Sequence, residues 1–179
     1  MGKRNIVLLG FMGTGKTTAG RILAARLGMT LVDMDEVIAE RAGKTISAIF
    51  AESGEPYFRA LERALVQELS RRTGLVVAAG GGVVLNPDNV ADYARSGLVV
   101  CLTAEADAIL RRVRGESHRP LLEDGDKAAR VLQLLESRRA KYEAIPSRVD
   151  TTALTPEQVA DRIVALYEAD PENPARRPG

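Results

Sequence analysis

Residues 5–18 read NIVLLGFMGTGKTT, and this stretch decides the fold. A short apolar run leads into Gly, four residues, then Gly-Lys-Thr. A helical stripe of Ala19, Ile22, Leu23 and Leu27 follows and ends at Gly28, a C-cap residue. Strand, glycine-rich turn and helix in that order make an anion nest. Gly10, Gly13 and Gly15 let backbone N–H groups point inward, and the helix N-terminus adds partial positive charge. Gly13, Thr14, Gly15, Lys16, Thr17 and Thr18 are therefore candidates for a nucleotide triphosphate. Lys16 would reach the β- and γ-phosphates, and the Thr17 hydroxyl would ligate Mg²⁺.

Further runs of the same kind lie along the chain: LVVAA (75–79), LVVCL (98–102) and, more weakly, TLVD (30–33) and RVDT (148–151). Continuous apolar strands point to a parallel sheet covered on both faces. Helical patterns lie between them. Pro87 after Asn86 opens one helix, and Val131, Leu132, Leu135 and Tyr142 mark another over 126–144. Thr155-Pro156-Glu157-Gln158 reads as a capping box with Pro at N1. The expectation is a three-layer α/β/α domain over 1–168 with a central five-stranded parallel sheet, of the P-loop NTPase type. Residues 34–72 read as helical throughout, an inserted substrate-binding subdomain. The polar, glycine-bearing 114–126 reads as a lid, and 169–179 as a disordered tail.

Length and composition narrow the class. A chain of 179 residues suits one full core. A net charge of +1 calls for neither nucleic acid nor a bilayer surface. The lone Cys101, inside an apolar run, fits a buried strand position and a cytoplasmic setting. MGKRNIVLLG runs straight into the glycine motif, so it reads as a first strand and not a signal peptide. A monomer is expected. Of the 25 basic residues 20 are Arg, and some of these forks can face an anionic ligand.

The acceptor side is carried by three clusters. Asp33 and Asp35 would share one side of a strand end. There, one can hold Mg²⁺ or its waters and the other can serve as general base, or the pair can simply cap the helix that follows. Arg59 and Glu62 share a helix face, as a salt bridge or as a clamp on a substrate carboxylate. Gly80, Gly81 and Gly82 follow a buried strand at the ligand-binding end of a parallel sheet, where a ligand can approach the backbone. A guanine reader of the Asn-Lys-x-Asp type is missing, which excludes a GTPase switch. The strand LVVAA ends in glycines and not in Asp-Glu, which argues against a motor ATPase and for a small-molecule kinase.

In combination, GFMGTGKTT, DMDEVIAE, IFAESGEPYFRALE, AAGGGVV, RPLL and RRAKYEAI resemble the shikimate kinase family, in the nucleoside-monophosphate-kinase-like branch of P-loop proteins. The resemblance runs from about residue 5 to 165. It implies transfer of the γ-phosphoryl group of ATP to the 3-hydroxyl of shikimate, giving shikimate 3-phosphate and ADP in aromatic amino-acid biosynthesis. It also implies residue roles. Asp35, Arg59, Gly81 and Arg138 hold shikimate, with Asp35 as candidate base and the two arginines on the carboxylate. Asp33 stands near the Mg²⁺ hydration shell, Arg119 swings over the phosphates from the lid, and Arg112 packs on adenine. The family often carries an Arg before the last helix, where this chain has Thr152-Ala153-Leu154-Thr155. Gluconate, another carboxylated polyol, and nucleoside monophosphates are the rival acceptors. A regulatory module that binds ATP without transferring phosphate is the rival outside catalysis. His118, the sole histidine, is assigned no catalytic role.

Overall fold

The computed structural model describes residues 3–113 and 127–173. Five parallel strands form one sheet: β1 (Asn5–Gly10), β2 (Thr30–Asp33), β3 (Leu75–Ala78), β4 (Gly97–Thr103) and β5 (Ser147–Asp150), in the order β2-β3-β1-β4-β5. The two strongest apolar runs, β1 and β3, pair in the centre with Val7 opposite Val77. β4 covers the other side of β1, with Val7 opposite Val99. All six residues of β1 are buried, as expected of a strand covered on both faces.

Alternation along β1 divides the core. Ile6 and Leu8 face a cluster built from α1 (Lys16–Leu27) and α7 (Pro156–Ala169), including Leu23, Val159 and Ile163. Val7 and Leu9 face the opposite cluster, with Phe58, Leu65, Ile109 and Val131. These come from α3 (Ile46–Leu69), α5 (Ala106–Val113) and α6 (Lys127–Glu143). α2 (Met34–Ala42) and α4 (Pro87–Ser96) complete that layer through Ile38 and Tyr93. The result is helix, sheet, helix, as the alternation of motifs predicts. Cys101 is fully buried in β4, and burial pushes its thiol pKa up to about 11, so it is an inert core residue.

Several boundaries differ from the sequence reading. Residues 34–72 are two helices and not one run. α2 closes at Gly43, whose φ of 63° makes an αL cap, and α3 restarts at the Thr45 N-cap. α3 is itself kinked at Gly54. The expected disorder from 169 is corrected over its first part. Ala169 ends α7, Asp170 pairs with Arg4 at 2.8 Å, and buried Asn173 donates to the Tyr167 carbonyl at 2.7 Å. A basic side chain from the first strand's edge thus fixes a segment whose composition alone reads as loose. The segment 114–126, expected to form a lid and including His118 and Arg119, lies outside the described residues. Among the described residues no helix is long and apolar enough to cross a membrane.

Candidate active site

At the C-terminal ends of β1, β2 and β3 lies a cleft of about 1380 Å³. Pockets for one drug-sized ligand measure roughly 300–1,000 Å³, so this cleft is large enough to take two reactants. The phosphate loop lines one part of the cleft. Asp35, Arg59, Glu62, the triple glycine and Arg138 line another.

The phosphate loop is held from behind. Gly15 sits at φ 90° with nothing within 4 Å of where a Cβ would stand, so the loop turns into open cleft there. Thr14 points the other way. Its hydroxyl donates to the Phe11 carbonyl at 2.8 Å and the residue is buried, so only its backbone is left for a ligand. Arg112 donates to the Gly13 carbonyl at 3.1 Å and to the Thr151 carbonyl at 2.8 Å, tying the loop to the end of β5. Thr151 Oγ1 lies 3.1 Å from the carbonyl oxygens of both Thr14 and Thr103. Thr151 has no motif to announce it, and the sequence reading missed it. Leu154 and Pro156 line the cleft where the family arginine is replaced.

Lys16 Nζ donates to the carbonyls of Gly10 and Phe11, both at 2.9 Å. The Thr17 hydroxyl donates to Asp33 Oδ2 at 2.6 Å, while Asp33 Oδ1 accepts from the amide of Asp35 at 3.1 Å. One oxygen of Asp33 thus caps α2, the helix-cap alternative, while the other meets the phosphate-loop threonine. The expected geometry of the pair is corrected in one respect. Asp33 ends β2, but Asp35 stands in the first turn of α2, so strand alternation is not what brings them together.

On the acceptor side, α3 carries Arg59 and Glu62 one turn apart, with Arg59 Nη1 to Glu62 Oε2 at 2.5 Å. Arg59 also holds Glu55 at 2.9 Å. Glu62 is 1 % exposed, and among the described residues its Oε1 has no hydrogen-bond partner. Burial raises the Glu62 pKa, Arg59 opposes the rise, and the nearby Asp35 charge adds to it. Burial would lower the Arg59 pKa, but Glu62 and Glu55 outweigh it and the net direction is up. The pair is thus a cation presented to the cleft by a buried anion.

Two of the three glycines, Gly80 and Gly82, make room for neighbouring side chains. A Cβ on Gly82 would stand 2.0 Å from Arg59 Nη1, and one on Gly80 would stand 2.7 Å from Glu62 Oε1 and 3.0 Å from Asp35 Oδ1. Gly81 abuts the phosphate loop, its Cβ position lying 3.7 Å from the Gly10 carbonyl oxygen. Arg138, 5 % exposed on α6, reaches the Gly81 carbonyl at 3.3 Å. Residues from α2, α3, α6 and the β3 turn, spread over a hundred positions of sequence, converge here.

A model of the shikimate kinase family matches residues 12–168. A shikimate kinase of Thermodesulfovibrio yellowstonii is 41% identical over 165 residues, covering 92% of this chain and 95% of that protein. The chain belongs to the shikimate kinase family. The shikimate kinase of Geobacter metallireducens is 43% identical, with 92% of each chain covered. Among solved structures, the shikimate kinase of Acinetobacter baumannii in complex with shikimate aligns with a TM-score of 0.89 at 33% identity, covering 95% of this chain and 96% of the other. This family fold places the glycine loop, the Arg59–Glu62 pair and the Arg138 helix around one cleft, as described above.

Proposed function

We propose that this shikimate kinase family member transfers the γ-phosphoryl group of ATP to the 3-hydroxyl of shikimate, with Asp35, Arg59 and Arg138 as the acceptor-binding side chains. The observation that carries the reading is the convergence of two guanidinium groups and a carboxylate beside a phosphate loop. Shikimate offers the complementary set: one carboxylate for the arginine forks and hydroxyls for Asp35.

Phosphoryl transfer asks little covalent chemistry of a protein and much positioning. The backbone amides of the loop and the first turn of α1 cradle the phosphates. Lys16 leaves the Gly10 and Phe11 carbonyls for the β- and γ-phosphates, where its charge stabilises the transferring group. Arg59 and Arg138 fix the acid end of the ring. Asp35 accepts a hydrogen bond from the attacking hydroxyl and is placed to take its proton late in transfer.

The Thr17 hydroxyl and Asp33 carboxylate suit Mg²⁺, which takes one or two protein oxygens and completes its shell with water and phosphate. Their contact at 2.6 Å puts both oxygens at one point of the phosphate loop. When bound, the ion would neutralise phosphate charge.

The test is a coupled ADP-release assay with shikimate, gluconate and a panel of nucleoside monophosphates. Stimulation by shikimate alone supports the proposal. Stimulation by gluconate or a nucleotide instead, or ADP release indifferent to acceptor, overturns it.

A further inference from the structure

Of the two buried polar residues of the RRAKYEAI motif, Arg138 and Tyr142, the mechanism leaves Tyr142 without a task. It lies four residues after Arg138, on the same face of α6, and is 4 % exposed. Its hydroxyl donates to the Gly81 carbonyl at 2.6 Å, a shorter contact than the 3.3 Å from Arg138 to that oxygen. Its ring meets Phe11 of the phosphate loop edge-on, with centroids 6.5 Å apart. Gly81 in turn lies against the loop backbone, its Cβ position 3.8 Å from the Met12 amide nitrogen.

We infer that Tyr142 is a positioning residue: it holds the Gly81–Gly82 peptide against the phosphate loop, so that the Gly82 N–H faces the acceptor and Arg138 is released for the acceptor's carboxylate. The inference rests on the shikimate kinase reading above. In a trans peptide the Gly82 N–H is antiparallel to the Gly81 carbonyl. With that carbonyl fixed toward α6, the N–H faces away from α6, in the stretch of cleft wall that Gly82 shares with Arg59. The carbonyl needs a donor, and Tyr142 and Arg138 both reach it. While the tyrosine supplies the shorter bond, the arginine keeps its remaining N–H groups for an anion. Without the hydroxyl, Arg138 is drawn onto the carbonyl and away from the acceptor's carboxylate, and the peptide shifts with it. Burial pushes the Tyr142 pKa up to about 12, so the hydroxyl stays a donor at any working pH. Through Phe11 the same ring braces the start of the phosphate loop, which sets the spacing between the two reactants.

A buried tyrosine also contributes to stability, so the test needs a matched control. Tyr167 is 6 % exposed and its hydroxyl also donates to a backbone carbonyl, that of Arg4 at 2.9 Å, on the far face of the sheet. Tyr142→Phe and Tyr167→Phe are compared in two measurements. With glycine-selective ¹⁵N labelling of the ligand-free protein, the Gly81 and Gly82 amide resonances move or broaden in Tyr142→Phe and stay in place in Tyr167→Phe. In steady-state assays at saturating ATP, the shikimate KM of Tyr142→Phe rises about three- to tenfold, the effect of one neutral hydrogen bond, while the ATP KM and the values for Tyr167→Phe hold. Unmoved glycine amides overturn the inference. So does a shikimate KM equal to that of Tyr167→Phe, or an ATP KM that shifts by the same factor. If the unaltered protein does not turn over shikimate, the proposed function fails, and the amide comparison then decides the peptide clamp by itself.

Discussion

Replacing Arg59 by alanine separates what the Arg59–Glu62 pair does for the fold from what it does for the acceptor. The variant leaves Glu62 buried, with Asp35 nearby and its closest cation gone. An isolated buried carboxylate is costly, but it can escape by taking a proton. That escape sets a ceiling. Holding a carboxyl protonated at pH 7, when its ordinary value is 4.5, costs two and a half pH units at 1.36 kcal/mol each, about 3.4 kcal/mol. At pH 5.5 the ceiling falls to about 1.4 kcal/mol by the same relation. The sign follows from the raised pKa of Glu62. A carboxyl whose folded pKa exceeds its unfolded value favours the unfolded chain once pH is above the unfolded value, so stability returns as pH falls toward 4.5. Arg59→Ala therefore unfolds at a temperature roughly 7–14 °C lower at pH 7 if the ceiling is reached, and at most about 6 °C lower at pH 5.5. Adding Glu62→Gln removes the ionisable group and flattens the pH dependence. Activity behaves differently. The lost charged contact to the acceptor's carboxylate is worth about 2–5 kcal/mol, so kcat/KM for shikimate falls roughly 30- to 5,000-fold. The double variant does not recover it. Thermal denaturation at pH 7 and 5.5 and steady-state kinetics check both parts. A stability loss that does not change with pH, or a kcat/KM within threefold of the unaltered protein, would refute the reasoning.

Other substitutions probe the remaining parts. Lys16→Met abolishes phosphoryl transfer while leaving the circular dichroism spectrum and melting temperature close to those of the unaltered protein; retained turnover counts against the phosphate-loop assignment. Gly82→Ala drives a methyl into the Arg59 guanidinium, so shikimate KM rises at least tenfold with little change in ATP KM, as initial rates show. Asp33→Asn removes one carboxylate charge at Thr17 and shifts the Mg²⁺ concentration for half-maximal rate upward several-fold, measured by titrating the ion at fixed ATP.

Much of this architecture was legible in the sequence because single residue types carried it. β1 and β3 are buried on both faces and so read as unbroken apolar runs, and the capping box at Thr155 is present as expected. The loop glycines, Lys16 and Thr17 announce themselves by spacing. Other features depend on partners distant in sequence. The interruption between α2 and α3 is a short αL cap inside a stretch that keeps its helical composition. Residues 170–173 look like a polar tail until Arg4 is placed beside Asp170. Arg59 and Glu62 are visible as neighbours on a helix, but the burial of Glu62 and its approach to Gly80 and Asp35 arise only when α2, α3 and β3 meet. Asp35 reached the expected cluster by a helix turn and not by the strand alternation that suggested it. Tyr142 was part of a recognised motif, yet its partner Gly81 lies 61 positions earlier, too far for any local pattern to show.

The central claim is that an acid-bearing ring is gripped at one end by Arg59 and Arg138 and offers a hydroxyl to Asp35 at the other. A crystal structure of the protein with ADP and shikimate tests it most directly. The expected result is both guanidinium groups within hydrogen-bond reach of the carboxylate and an Asp35 oxygen on the hydroxyl nearest the phosphate loop. Shikimate bound elsewhere, or seated in the cleft with both arginines turned away from its carboxylate, would contradict it.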